Sequence, residues 1–83
     1  MADRTIKSPL PGTFYRRPGP DADPYVSEGD EVNAGDIVGL VEIMKSFHEI
    51  VSEESGILDR FLVETEDLVE AGEEIAALRD SGR

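Results

Sequence analysis

Lys45 stands in the segment Glu42-Ile43-Met44-Lys45-Ser46-Phe47 and is the side chain with the plainest chemistry to offer. Its amine sits on a flexible stem and can be acylated to a neutral amide. The bland alternative is a solvated lysine on a turn. Other catalytic equipment is sparse. The chain has one histidine, no cysteine, no evident Ser-His-Asp set and no Gly-rich phosphate loop. His48 reads as a plain strand residue, and one histidine among scattered carboxylates is a poor start for a transition-metal site.

The elements that must position Lys45 are two strands. Asp36-Ile37-Val38-Gly39-Leu40-Val41 precedes it and Phe47-His48-Glu49-Ile50-Val51 follows, both rich in β-branched residues. Strands meeting across so short a gap imply a tight hairpin with Lys45 at its tip. Two-residue hairpin turns favour Asn-Gly, Asp-Gly or Gly-X, because they need positive φ. Met44-Lys45 breaks that rule, and a local rule broken between two strong strands marks a candidate functional site.

The 83 residues suit one small domain, which buries only about 60% of its unfolded surface. Without cysteine, neither disulfides nor thiolate metal sites contribute, and a reducing, cytoplasmic setting is expected. No apolar run is long enough to span a bilayer, and no apolar segment follows Met1-Ala2-Asp3-Arg4-Thr5 to make a signal peptide. Nineteen Asp plus Glu against 8 Lys plus Arg give a formal net charge of −11. Nucleic acid and anionic membrane are therefore excluded as partners. The carboxylates serve solubility, or else steer the chain towards basic partner surfaces.

A weak internal repeat runs through the sequence. Asp30-Glu31-Val32-Asn33-Ala34-Gly35-Asp36 matches Asp67-Leu68-Val69-Glu70-Ala71-Gly72-Glu73, a step of 37 from residue 30 to 67. Ile6-Lys7-Ser8 with Gly12 matches Ile50-Val51-Ser52 with Gly56, a step of 44 from residue 6 to 50. The difference, 44 − 37 = 7, is an insertion in the first half. It falls in Arg16-Arg17-Pro18-Gly19-Pro20-Asp21-Ala22-Asp23-Pro24, a cluster of chain breakers. Each half then supplies four short strands: Thr5–Ser8, Thr13–Arg16, a piece near Tyr25–Val26 and Ile37–Ile43, then Phe47–Val51, Gly56–Val63, Leu68–Val69 and Glu74–Leu78. Short strands with Gly-marked turns predict an all-β sandwich or flattened barrel. A helix start at Glu64–Asp67 is discounted because only Leu68 and Val69 precede Gly72. The repeat sets the Lys45 hairpin opposite the chain ends, near residues 1 and 82.

Glu42-Ile43-Met44-Lys45-Ser46-Phe47 resembles the Glu-Ala-Met-Lys-Met attachment signature of the biotinyl/lipoyl carrier domains. Met before the lysine is the biotin form, whereas lipoyl domains carry Asp-Lys-Ala. Ser8-Pro9-Leu10-Pro11-Gly12-Thr13-Phe14-Tyr15-Arg16 and the insertion through Pro20-Asp21-Ala22 resemble the thumb-bearing biotin carboxyl carriers of bacterial acetyl-CoA carboxylase. Ile43 and Ser46 differ from the signature, and Arg17 replaces a small polar residue.

This resemblance implies a barrel-sandwich hybrid: eight strands in two four-stranded antiparallel sheets with pseudo-two-fold symmetry. The domain would span residues 6–79, with tails at 1–5 and 80–83, a thumb over about 16–24 and the biotin hairpin at 42–47. Lys45 would carry covalent biotin beside Met44. Glu42, Ile43 and Ser46 would be read by biotin protein ligase, and Arg17, Pro18, Gly19 and Pro20 would form the thumb. The cargo would pass from biotin carboxylase to carboxyltransferase for malonyl-CoA formation, with no catalytic group supplied by this chain. A lipoyl-type swinging arm, a carrier of another biotin-dependent carboxylase and an unmodified interaction domain are the competing readings.

Overall fold

The fold comes from a computed structural model that describes residues 4–80. The elements run β1 (Arg4–Lys7), β2 (Gly12–Tyr15), β3 (Glu31–Val32), β4 (Ile37–Ile43), β5 (Ser46–Val51), β6 (Gly56–Phe61), β7 (Leu68–Val69) and β8 (Glu74–Arg79). They form two four-stranded antiparallel sheets, ordered β1-β8-β6-β3 and β5-β4-β2-β7. Among the described residues there is no helix, and so none long and apolar enough to cross a membrane.

Central β4 and β8 carry near-continuous buried runs, Val38-Gly39-Leu40-Val41 and Ile75-Ala76-Ala77-Leu78. β2, also an inner strand, alternates instead: Phe14 is fully buried while Thr13 and Tyr15 turn outward. Phe14 fits against β4 because Gly39 leaves it room. A Cβ on Gly39 would stand 2.7 Å from the Phe14 ring. Phe14, Val38, Val41, Ile50, Leu58, Ile75 and Leu78 make the centre of the core.

The repeat is visible as symmetry. Steps of 44 and 37 carry β1, β8, β6 and β3 onto β5, β4, β2 and β7, which is the order of the other sheet. The details repeat as well. Ser8 and Ser52 are each 1% exposed, and each donates its hydroxyl over 2.6 Å to a carbonyl two residues on, of Leu10 and Glu54. The turns before β4 and β8 are closed in the same way, by Asn33 N–H to Asp36 Oδ2 at 2.9 Å and Glu70 N–H to Glu73 Oε1 at 2.8 Å. Their Gly35 and Gly72 both lie at positive φ, 94° and 83°.

One strand lies elsewhere than the sequence suggested. The piece expected near Tyr25–Val26 is absent, and Glu31–Val32 pairs with β6 instead. Val26 is buried in the core, so its apolar character reports packing rather than a ladder. The step of 37 from Leu68–Val69 points to Glu31–Val32. Residues 64–67 form a turn and no helix. The chain ends near residues 1 and 82 lie outside the described residues. Their nearest described neighbours, Arg4 and Asp80, are joined by an ion pair of 3.1 Å.

Candidate functional site: a strained lysine turn and an adjoining groove

β4 and β5 form a hairpin whose last ladder pair is Ile43 with Ser46, leaving Met44 and Lys45 as the two-residue turn. Both turn residues have positive φ, 51° and 69°. That is the primed geometry matching the twist of the flanking strands, and it is normally given to Asn and Gly. A bulky residue in this region costs about 1–2 kcal/mol. Such strain persists only where neighbours over-determine the backbone. Here the long β4–β5 ladder does so. The consequence is an outward presentation: Met44 is 92% exposed, Lys45 is exposed, and Lys45 makes no ion pair among the described residues.

One residue behind the turn, the ladder places Leu68, Thr13, Glu42 and Phe47 in a single row across the sheet. Phe14 points into the core, so this row and Tyr15 share the outer face. Tyr15 donates its hydroxyl to Glu42 Oε1 at 3.1 Å. Its ring lies 6.0 Å from that of Phe47, at 57°. The hydrogen bond to the Glu42 carboxylate, reinforced by loss of water contact and the Glu42 and Glu66 charges, raises the Tyr15 pKa above its ordinary 10.0.

A groove of about 840 Å³ opens beside this face. Its walls include Tyr15, Phe47 and Phe61, the loop residues Arg16, Arg17, Pro18, Gly19 and Pro20, and Val63–Glu66 opposite. The loop is pinched at its base by Tyr25 N–H donating to the Arg16 carbonyl at 3.1 Å. Ala22 N–H donates to the Gly19 carbonyl at 3.2 Å and turns its tip. Arg16 packs its guanidinium over the Phe61 ring, 4.2 Å from the centroid. No group of three or more His, Cys, Asp or Glu side chains among the described residues could hold a metal ion.

The structure thus separates the residues singled out from sequence into two neighbouring sets. Glu42, Ile43, Met44, Lys45 and Ser46 make the hairpin end, and Arg17, Pro18, Gly19 and Pro20 line the groove. Met44 does not line the groove. Sequence reasoning gave no role to Tyr15, Phe47, Phe61 or the 63–66 loop. Tyr15 and Phe47 were both inside quoted motifs, but only the ladder register reveals that they meet.

The comparisons with known proteins bear on the whole chain. A family profile described as "Biotin-requiring enzyme" matches residues 4–78. The chain is 49% identical over 59 residues to the biotin carboxyl carrier protein of acetyl-CoA carboxylase 2, chloroplastic, of Arabidopsis thaliana, covering 71% of this chain and 23% of that one. It is 32% identical over 78 residues to the biotin carboxyl carrier protein of acetyl-CoA carboxylase of Haemophilus influenzae, covering 94% of this chain and half (50%) of that one. The chain therefore spans half or less of the length of these relatives. Among solved structures it resembles the Kluyveromyces lactis urea carboxylase, with a TM-score of 0.78 and 28% identity over 95% of this chain and 6% of that one. A symmetric two-sheet fold, a lysine at an exposed hairpin tip and a profile match over residues 4–78 agree: the chain belongs to the biotinyl/lipoyl family.

Proposed function

We propose that this chain is the biotin carboxyl carrier domain of an acetyl-CoA carboxylase, with biotin held in amide linkage by Lys45. The observation that carries the reading is the turn itself. Lys45 occupies a positive-φ position that a better turn residue would fill, and its amine projects without an ionic partner among the described residues. The names of the relatives support biotin as cargo and acetyl-CoA carboxylase as the assembly.

The residues present fit such a group. An exposed amine gives the attachment point, and a groove of about 840 Å³ lies in the size range of small-molecule sites. When attached, biotin supplies the nitrogen that accepts and releases a carboxyl group. The chain's own contribution is presentation. The short turn fixes the Lys45 backbone, the row beneath it offers shape to biotin protein ligase, and the acidic surface keeps the domain soluble between visits. Biotin carboxylase and carboxyltransferase do the chemistry and yield malonyl-CoA. Tethering raises the local concentration of the arm to about the millimolar level at each site. Contacts with those partners are small and transient, since the arm must leave. A cytoplasmic or plastid compartment suits a chain without cysteine.

Intact mass after co-expression with biotin protein ligase tests the reading. The wild-type chain gains one biotinyl group and Lys45→Arg gains none. Lipoate in its place, or no addition by either ligase, rejects the biotin assignment. The loop over residues 16–24 acts as the thumb, with Arg17, Pro18, Gly19 and Pro20 facing the cofactor. Its three prolines lower the entropy of the unfolded loop, so a projecting segment stays ordered at modest cost. Deleting residues 18–24 should then increase biotin mobility by NMR relaxation, whereas unchanged mobility removes the thumb from the cofactor's surroundings.

A further inference from the structure

We propose that Tyr15 is a positioning residue for the modification of Lys45, because it braces both strands at the base of the lysine turn and presets the Glu42 carboxylate. This rests on the reading of Lys45 as the biotin attachment site.

Three observations carry it. The turn is built from two residues in a conformation that disfavours them, and it persists only while the β4–β5 ladder behind it stays in register. Tyr15 belongs to neither hairpin strand yet grips both: its hydroxyl reaches Glu42 on β4 at 3.1 Å, and its ring meets Phe47 on β5 at 6.0 Å. Glu42 and Phe47 are themselves ladder partners, directly behind the Ile43–Ser46 pair that closes the turn. Thus one side chain from β2 ties the partners of one ladder row together, three residues before and two after Lys45.

The effect on recognition follows from rotamer freedom. Glu42 is half-buried on the outer face, and a free glutamate there would sample several rotamers. Hydrogen-bonded to Tyr15, it is held ready, so a ligase that contacts the row has less ordering to do. Glu42 still has an oxygen free to accept from a cationic or N–H donor on the ligase, because Tyr15 engages Oε1. The brace therefore acts on binding of the protein substrate and leaves the chemical step at Lys45 alone.

The test is ligase kinetics on four chains: wild type, Tyr15→Phe, Glu42→Gln and the double variant. Tyr15→Phe keeps the ring against Phe47 and deletes only the hydroxyl, and thermal melting checks that each chain is folded. Tyr15→Phe should raise the KM for the protein by roughly three- to tenfold, the worth of one hydrogen bond, with kcat unchanged. The double variant should be no worse than Glu42→Gln alone, since Tyr15 acts through Glu42. A wild-type KM for Tyr15→Phe, or losses that simply multiply in the double variant, overturns the positioning role while leaving the carrier reading intact. A wild-type chain that accepts no biotin overturns both.

Discussion

At the scale of single residues, Tyr15 ties stability to alkaline pH. Its phenol donates to Glu42, and the folded state raises its pKa above 10.0. A group whose folded pKa exceeds its unfolded value binds more protons when folded. Its contribution to stability is therefore complete below pH of about 10 and is lost as pH rises through the folded value. The alkaline limb of a stability curve should fall more steeply in wild type than in Tyr15→Phe. Absorbance titration of the phenol should show Glu42→Gln moving Tyr15 back towards the ordinary value; no movement would sever the assigned link between them. None of this was legible in sequence. Tyr15 and Glu42 lie 27 residues apart, and only the β2–β4 register brings them together.

Among the elements, the turns carry the information. The turn before β3 has Gly29 at φ 94°, and its symmetry mate before β7 has Glu66 at φ 75°. The two are built alike, with Asp30 N–H to the Ser27 carbonyl and Asp67 N–H to the Glu64 carbonyl, both at 3.0 Å. The first copy fills the left-handed position with the residue that suits it, and the second does not. Glu66→Gly removes a cost of about 1–2 kcal/mol. Glycine's greater unfolded freedom returns about 0.5–1 kcal/mol of that. A net stabilisation near 1 kcal/mol or below is expected, read as a higher urea midpoint at unchanged slope. A lower midpoint would mean that the Glu66 side chain contributes more than its backbone costs. The same comparison explains what sequence reading achieved. The hairpin around Lys45 was legible because two strong apolar runs, Ile37–Ile43 and Phe47–Val51, left only three residues between them. The third strand was misplaced because Val26 is buried without being paired, and burial is what periodicity reports.

Across the whole molecule, the two-fold arrangement was legible because its repeats reside in turn chemistry, Val-x-Ala-Gly followed by an acid, which closes the same turn in both halves. The groove was not legible. It forms where the 16–20 loop faces residues 63–66, and nothing in either segment announces the other. The symmetry also sets an order of events in the cell. β8 is a central strand, flanked by β1 on one side and β6 on the other. Thr5 pairs with Ala77, so the domain's first strand waits for its last. Loop closure over that span is slow compared with local hairpin formation. Until Leu78 has emerged, the sheet that carries the lysine hairpin lacks the core residues Ile75, Ala76 and Leu78 that β8 supplies from the other sheet, so the shared core is incomplete. On the proposed reading of Lys45 as the attachment site, its acylation would then report a domain translated through β8.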